Sequence, residues 1–122
     1  MPGPLSNYRI VDLTTIISGP YATQLLGDQG ADVIKVEPLS GDLMRRLGPM
    51  RGGVSSQFLL NNRNKRSLAL DLKHEEGKNV LRRLIEDADV FVQNFRPGAI
   101  ERMGFSEEEV RAVWSQEPHG RG

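Results

Sequence analysis

The sequence predicts an α/β fold, a mostly parallel open sheet with flanking helices. Four short segments rich in strand formers lead to that class: "YRIVDL" (8–13), "ADVIKVE" (31–37), "RSLALDLK" (66–73) and "DVFVQNF" (89–95). Stretches with helical spacing lie between most of them, and strands that alternate with helices fold as βαβ units around a parallel sheet. The breakers Gly30, Pro38, Pro97 and Gly98 fall at segment ends, where turns are expected.

The first segment alternates apolar and polar residues, as a strand does. "TTIISGP" is a loop, and Gly19 with Pro20 marks a helix start, where the missing proline N–H costs nothing. The helix runs through Tyr21, Ala22, Leu25 and Leu26, spaced for one face, and Gly30 suits a C-terminal cap. Pro38 ends the second strand. Residues 38–56 hold six Gly or Pro residues and Arg45, Arg46 and Arg51 without periodicity; a loop that long is functional or mobile. In the third strand Leu68, Leu70 and Leu72 share a face. A helix follows from about Glu75 to Asp87, with Val80, Leu81, Leu84 and Ile85 on one side and two acids in its first turn, where the dipole favours them. After the fourth strand, Ser106 and Glu109 form a capping box for a short helix to about Trp114. The expected organisation is one domain over 1–114 and an unstructured tail over 115–122.

Composition bounds the function. The chain has 122 residues, 38% hydrophobic and 26% charged, with 16 Lys+Arg against 16 Asp+Glu. Zero net charge argues against a general nucleic-acid binder. With no cysteine, disulfides and thiolate chemistry are excluded. No apolar run suits a signal peptide or a membrane span, so the expectation is a cytoplasmic chain with no membrane partner.

In an open α/β sheet, ligands bind beyond the carboxyl ends of the strands. That rule selects residues 14–20, 38–46, the Lys73 corner and 94–102. Gly19 and Pro20 open a helix whose free N–H groups attract anions, while Lys73, Asn94, Arg96 and Arg102 lie at or past strand ends. Together they suit a ligand with more than one phosphate. The ordinary role of each is humbler: solvated cations, a plain turn, an asparagine bonded to loop backbone. Arg63, Lys65 and Arg66 read as an exposed edge kept soluble by charge. A dinucleotide site is disfavoured, because "SGPYAT" has one glycine where three are needed. Only His74 and His119 exist, without metal spacing, so no metal site is expected. No catalytic triad is marked. Asp12 and Asp71 suit structural pairing, and Asp28 and Asp32 suit the surface.

Three ordered blocks, "VDLTTIISGPYATQLLGDQGADVIKVEPLSGD", "NRNKRSLALDLKHEEG" and "ADVFVQNFRPGAIERMGF", resemble the amino-terminal part of the class III CoA-transferases, the formyl-CoA and carnitine-CoA transferase type, over about Leu5 to Trp114. α-Methylacyl-CoA racemases belong to the same superfamily. The resemblance implies a truncated Rossmann-like domain that takes coenzyme A thioesters as substrate, with no tightly bound cofactor, and an interlocked homodimer in the longer form. By residue matching, Ile16, Ile17 and Ser18 would lie near the pantetheine and thioester, and Pro38 near the adenine. Leu70, Asp71, Leu72 and Lys73 would lie along the nucleotide. Asn94, Phe95 and Arg96 would contact CoA, and Arg102 would meet a phosphate. The family moves CoA between carboxylic acids through an aspartyl intermediate, and no aspartate here matches that nucleophile. The expected catalytic set in this chain is therefore empty, and the chain alone is expected to be inactive. The tail "SQEPHGRG" departs from the family and reads as a truncation, an alternative ending or a frame change. The alternatives are a racemase fragment and a non-catalytic product that only binds.

Overall fold

The computed structural model describes residues 3–115. Along the chain come β1 (Arg9–Asp12), α1 (Ser18–Asp28), β2 (Asp32–Glu37), a 3-10 turn (Leu43–Arg46), β3 (Met50–Arg51), β4 (Val54–Ser55), α2 (Ser56–Asn62), β5 (Lys65–Ala69), α3 (Glu75–Glu86), β6 (Val90–Val92), α4 (Ala99–Arg102) and α5 (Glu107–Ser115). Four strands form one sheet in the order β5-β2-β1-β6. Every pair in it is parallel, as the alternation of elements predicts. All four carboxyl ends therefore lie along one edge. Among the described residues no helix is long and apolar enough to cross a membrane.

The two faces of the sheet differ in kind. On one, Val11, Leu13 and Val36 meet Leu81 and Ile85 of α3, with Ile100, Phe105 and Val110 from the following segments. Full burial of such side chains stabilises by about 1.5–3 kcal/mol each. Trp114 closes this side, its indole N–H donating to the Ile85 carbonyl at 2.7 Å. On the other face only a small apolar cluster forms, Ile10, Ala31 and Val33 with Leu26 packed on it. The rest of that face is ionic: Asp12, Lys35 and Glu37 are all buried.

That ionic face corrects the reading of α1. The residues it turns inward are Pro20, Thr23, Gln24 and Gly27, and Tyr21 and Leu25 stay 50% and 41% exposed. Thr23 donates its hydroxyl to Asp12 Oδ2 at 2.7 Å, which an apolar face could not match. The helix begins at Ser18, so Pro20 sits third in it, still among the residues whose N–H has no helical acceptor. Gly30, at φ 103°, follows the helix as expected, and only glycine adopts that angle at little cost.

Residues 38–56 are more ordered than their sequence suggests. The 3-10 turn is capped by Asp42, which accepts from the Met44 N–H at 2.9 Å. The β3–β4 hairpin turns at Gly52 and Gly53, both at positive φ. Helix α2 starts on Ser55, whose hydroxyl accepts from the Phe58 N–H at 3.3 Å. Strands of two residues have no period to read. The third strand ends at Ala69, short of Lys73: its neighbour β2 stops before Pro38, which has no N–H to extend the ladder. The Leu70 N–H makes the last bond, to the Glu37 carbonyl at 2.9 Å. β6 likewise covers three residues because β1 ends beside it. Ser106 caps α5 as expected: its hydroxyl accepts from the Glu109 N–H at 3.2 Å and donates to the Glu109 carboxylate at 3.0 Å. Of the tail expected over 115–122, Ser115 ends α5 and the remainder lies outside the described residues.

Candidate functional site

The loop after β1 is tied to the loop after β6. The Asn94 side chain accepts from the Thr15 N–H at 3.0 Å and donates to the Thr15 carbonyl at 2.9 Å. This pair brings Ile16, Ile17 and Ser18 beside Asn94, Phe95 and Arg96. Ile16 holds φ at 75°, a left-handed angle that is a true outlier for a β-branched residue. Ile17 sits at the start of α1, and no side chain caps that helix. All three residues of 16–18 are exposed. Gly19 serves packing: a Cβ there would run into the Thr14 side chain. It lets the helix start approach the end of β1.

The loop after β2 is tied to the loop after β5. The Leu70–Glu37 bond sets Leu70, at the start of 70–73, beside the end of β2, next to Pro38 in the chain. Leu70 and Leu72 pack against the larger core cluster. The Asp71 carboxylate accepts from the Lys73 N–H at 3.0 Å and stands 3.3 Å from His74. Gly77 of α3 passes so close that a Cβ would overlap the Asp71 carbonyl. Phe95 packs on the core and Arg96 is exposed. Arg102 on α4 is exposed, and its guanidinium folds back over Gly98.

Beneath these loops lies a charge cluster. Lys65 Nζ stands 3.0 Å from Asp12 Oδ2 and donates to the Pro20 carbonyl at 3.0 Å and to Asn62 Oδ1 at 2.8 Å. Burial pushes this ammonium below its usual range, against the pull of Asp12. Asp12 also accepts from the Thr14 hydroxyl and, at 2.8 Å, from the Thr14 N–H. Lys35 Nζ reaches the Thr14 carbonyl at 3.0 Å and Asp42 Oδ2 at 2.9 Å. Glu37 holds Arg45 by two bonds, at 2.6 and 2.7 Å, and accepts from the Ser67 hydroxyl and the Asp42 N–H. Burial alone would raise the Glu37 carboxyl. The bonds from Arg45, Ser67 and Asp42 outweigh it and bring it down to about 2. The Arg45 guanidinium lies 4.0 Å from the Phe58 ring centre, a cation–π distance.

The cations of "NRNKRSLALDLK" thus divide. Arg63 bonds Asp28, and that bond, helped by Asn64, holds the Asp28 carboxyl below its ordinary range. Arg66 pairs with Asp32 at 2.7 Å. Lys65 is buried, its side chain 2% exposed, which corrects its reading as a solvated edge residue. Asp12 pairs structurally as its position suggests. Lys73, by contrast, is exposed, and among the described residues neither it nor Arg96 nor Arg102 has an acidic partner. Sequence reasoning missed Lys35 and Asp42. The available signal was a lysine inside the apolar run "VIKVE".

A surface cavity of about 480 Å³ lies elsewhere, beside β6, with Phe91, Phe105, Trp114, Glu101 and Glu107 in its wall. Arg111 also lines it, paired with Glu107 at 3.0 Å, and none of the expected site residues does.

Comparison with known proteins adds a family. The model of CoA-transferase family III matches residues 5–115. The chain is 48% identical over 115 residues to formyl-CoA:oxalate CoA-transferase of Afipia carboxidovorans, covering 93% of this chain and 27% of that protein. It is 47% identical over 103 residues to the succinyl-CoA–L-malate CoA-transferase beta subunit of Chloroflexus aurantiacus, covering 83% and 25%. Human succinyl-CoA:glutarate CoA-transferase is 44% identical over 112 residues, covering 90% and 26%. A CAIB/BAIF family protein from Brucella suis superposes with TM-score 0.87 at 39% identity, covering 93% of this chain and 31% of that one. The chain therefore spans about a quarter of the length of these curated relatives.

Proposed function

The chain belongs to CoA-transferase family III, and from that premise we propose that it is the CoA-binding portion of an enzyme that moves CoA between carboxylic acids. The observation that carries this reading is that three cations without an acidic partner stand past the carboxyl ends of the strands. Arg46, Arg51, Lys78 and Arg83 also lack one among the described residues, but Lys78 and Arg83 lie on α3. Arg9, Arg63 and Arg66 are each paired with an aspartate. Lys73, Arg96 and Arg102, in segments past the carboxyl ends of β5 and β6, are exposed and lack an acidic partner among the described residues. CoA carries a diphosphate and a ribose phosphate, which such cations bind, arginine through paired N–H bonds and lysine as a point charge. Residues 70–73 lie along the nucleotide, with the adenine near Pro38. The pantetheine and thioester run past Ile16, Ile17 and Ser18, beside Asn94 and Phe95. The uncapped start of α1 adds its dipole.

We assign the nucleophile to none of the aspartates of this chain, because the resemblance matches none of them to that position. Asp12, Asp28, Asp32 and Asp42 are each held against a cation, where attack on a thioester carbonyl would break a structural pair. The relatives described above are CoA-transferases by name, which favours transfer over racemisation. In the longer form we place the enzyme in the cytoplasm as an interlocked homodimer. Calorimetric titration with CoA tests the reading. Binding is expected, weakening with salt. Lys73→Ala and Arg102→Ala should each raise Kd about 10- to 150-fold, the equivalent of roughly 1.5–3 kcal/mol for a charged hydrogen bond. No heat with CoA, or unchanged affinity in both variants, would overturn it.

A further inference from the structure

We infer that Lys35 is a positioning residue that sets the span between the two loop pairs, an assignment that rests on the CoA reading for its functional meaning. Lys35 lies on β2, and its side chain is 2% exposed. Its ammonium touches one group from each side of the edge: the Thr14 carbonyl, leading into 15–18, and Asp42 Oδ2, at the start of the 3-10 turn. That ammonium is the only partner of Asp42 Oδ2 among the described residues. Asp42 in turn fixes the turn by capping the Met44 N–H and donating its own N–H to Glu37. Asn94 joins the β6 loop to Thr15, and Leu70 joins the β5 loop to Glu37. Lys35 thus bridges the two halves at the level of the loops, while Lys65 joins them deeper, from β5 to Asp12 and the Pro20 carbonyl.

Stability alone does not account for a lysine here. Replacing a buried ion pair with apolar residues of similar volume is often neutral or stabilising. What the ammonium supplies is direction, since it bonds only where both oxygens are correctly placed. Its charged surroundings are Asp42 at 2.9 Å and the Asp12–Lys65 pair, with Lys65 near enough to be felt electrostatically. A ligand that spans two subsites gains from their fixed separation, whereas a ligand that fills one does not. The loss of Lys35 should therefore fall on intact CoA and spare its halves.

The test uses the full 122-residue chain with Lys35→Met and, separately, Asp42→Asn. Hydrogen exchange is read over 13–18, 38–46 and α3, and affinity is measured for CoA, adenosine 3′,5′-bisphosphate and phosphopantetheine. Lys35→Met leaves Asp42 buried without its cation and lowers global stability, so we expect exchange to quicken in both loops by a larger factor than in α3. CoA Kd should rise at least about tenfold while each half stays within about twofold. Equal weakening of CoA and halves, or exchange that quickens by the same factor in α3 as in the loops, would make Lys35 an ordinary structural residue and refute the assignment. If the wild-type chain binds no CoA, the CoA reading fails, and exchange alone decides whether Lys35 ties the loops. Should Lys35→Met fail to fold, Asp42→Asn decides: faster exchange confined to 38–46 supports the tie, and unchanged exchange refutes it.

Discussion

Acid should unfold this protein in part through one carboxylate. Glu37 accepts from Arg45, Ser67 and the Asp42 N–H, and its carboxyl falls from 4.5 to about 2. At about 1.4 kcal/mol per pH unit, such a drop is worth roughly 3 kcal/mol. Arg45 is 41% exposed, so water screens part of its pull and about 2–3 kcal/mol is the working figure. The folded state resists protonation here. This stability is therefore present above pH 4.5, the ordinary value, and is lost as the pH falls towards about 2. Urea unfolding of the wild type and Glu37→Gln, from about pH 6 down to about pH 2.5, isolates the effect from other carboxylates. The variant should be less stable by about 2–3 kcal/mol at the upper end, and the two curves should converge at the lower. Parallel curves would show that Glu37 is not held in its charged form, and the reasoning would fail.

Two further outcomes follow from the same packing. Lys65→Met leaves the Asp12 carboxylate buried without its cation and should cost about 3–5 kcal/mol in urea unfolding, with part regained in the Asp12→Asn, Lys65→Met double variant. Strict additivity of the two losses would show that the pair is not coupled. Gly77→Ala forces a methyl against the Asp71 carbonyl and should cost about 1–3 kcal/mol, with NMR shifts centred on 70–73. A neutral effect would mean that this segment yields easily.

What the sequence discloses depends on the range of the signal. Helix α3 is legible because Leu81, Leu84 and Ile85 repeat at helical spacing, and α5 because Ser106 and Glu109 bond within one turn. The sheet and the edge that gathers its carboxyl ends follow from the order of elements. The direction in which α1 faces does not, since spacing defines a stripe without saying what lies beneath it, and beneath it lie Asp12 and Lys65 beside only a small apolar cluster. Nor do the pairs Lys65–Asp12 and Lys35–Asp42 show. The first joins residues far apart in sequence, and a strand lysine ordinarily points to water. The segments around Ile16–Ser18 and Asn94–Arg96 could be placed from the strand-end rule, whereas Leu70–Leu72 were read as strand and fall past its end at Ala69; the side chains that support these segments from below could not be placed.

The sheet has one oily side and one saline side, and they resist deformation differently. Oil grips without regard to angle, so helices resting on it can slide a little and lose little. Salt contacts have addresses: each ammonium beneath α1 and the 3-10 turn fits a particular oxygen, and a small slip forfeits it outright. The ceiling over the saline side should therefore behave as a latch, either seated or released, with few intermediate poses.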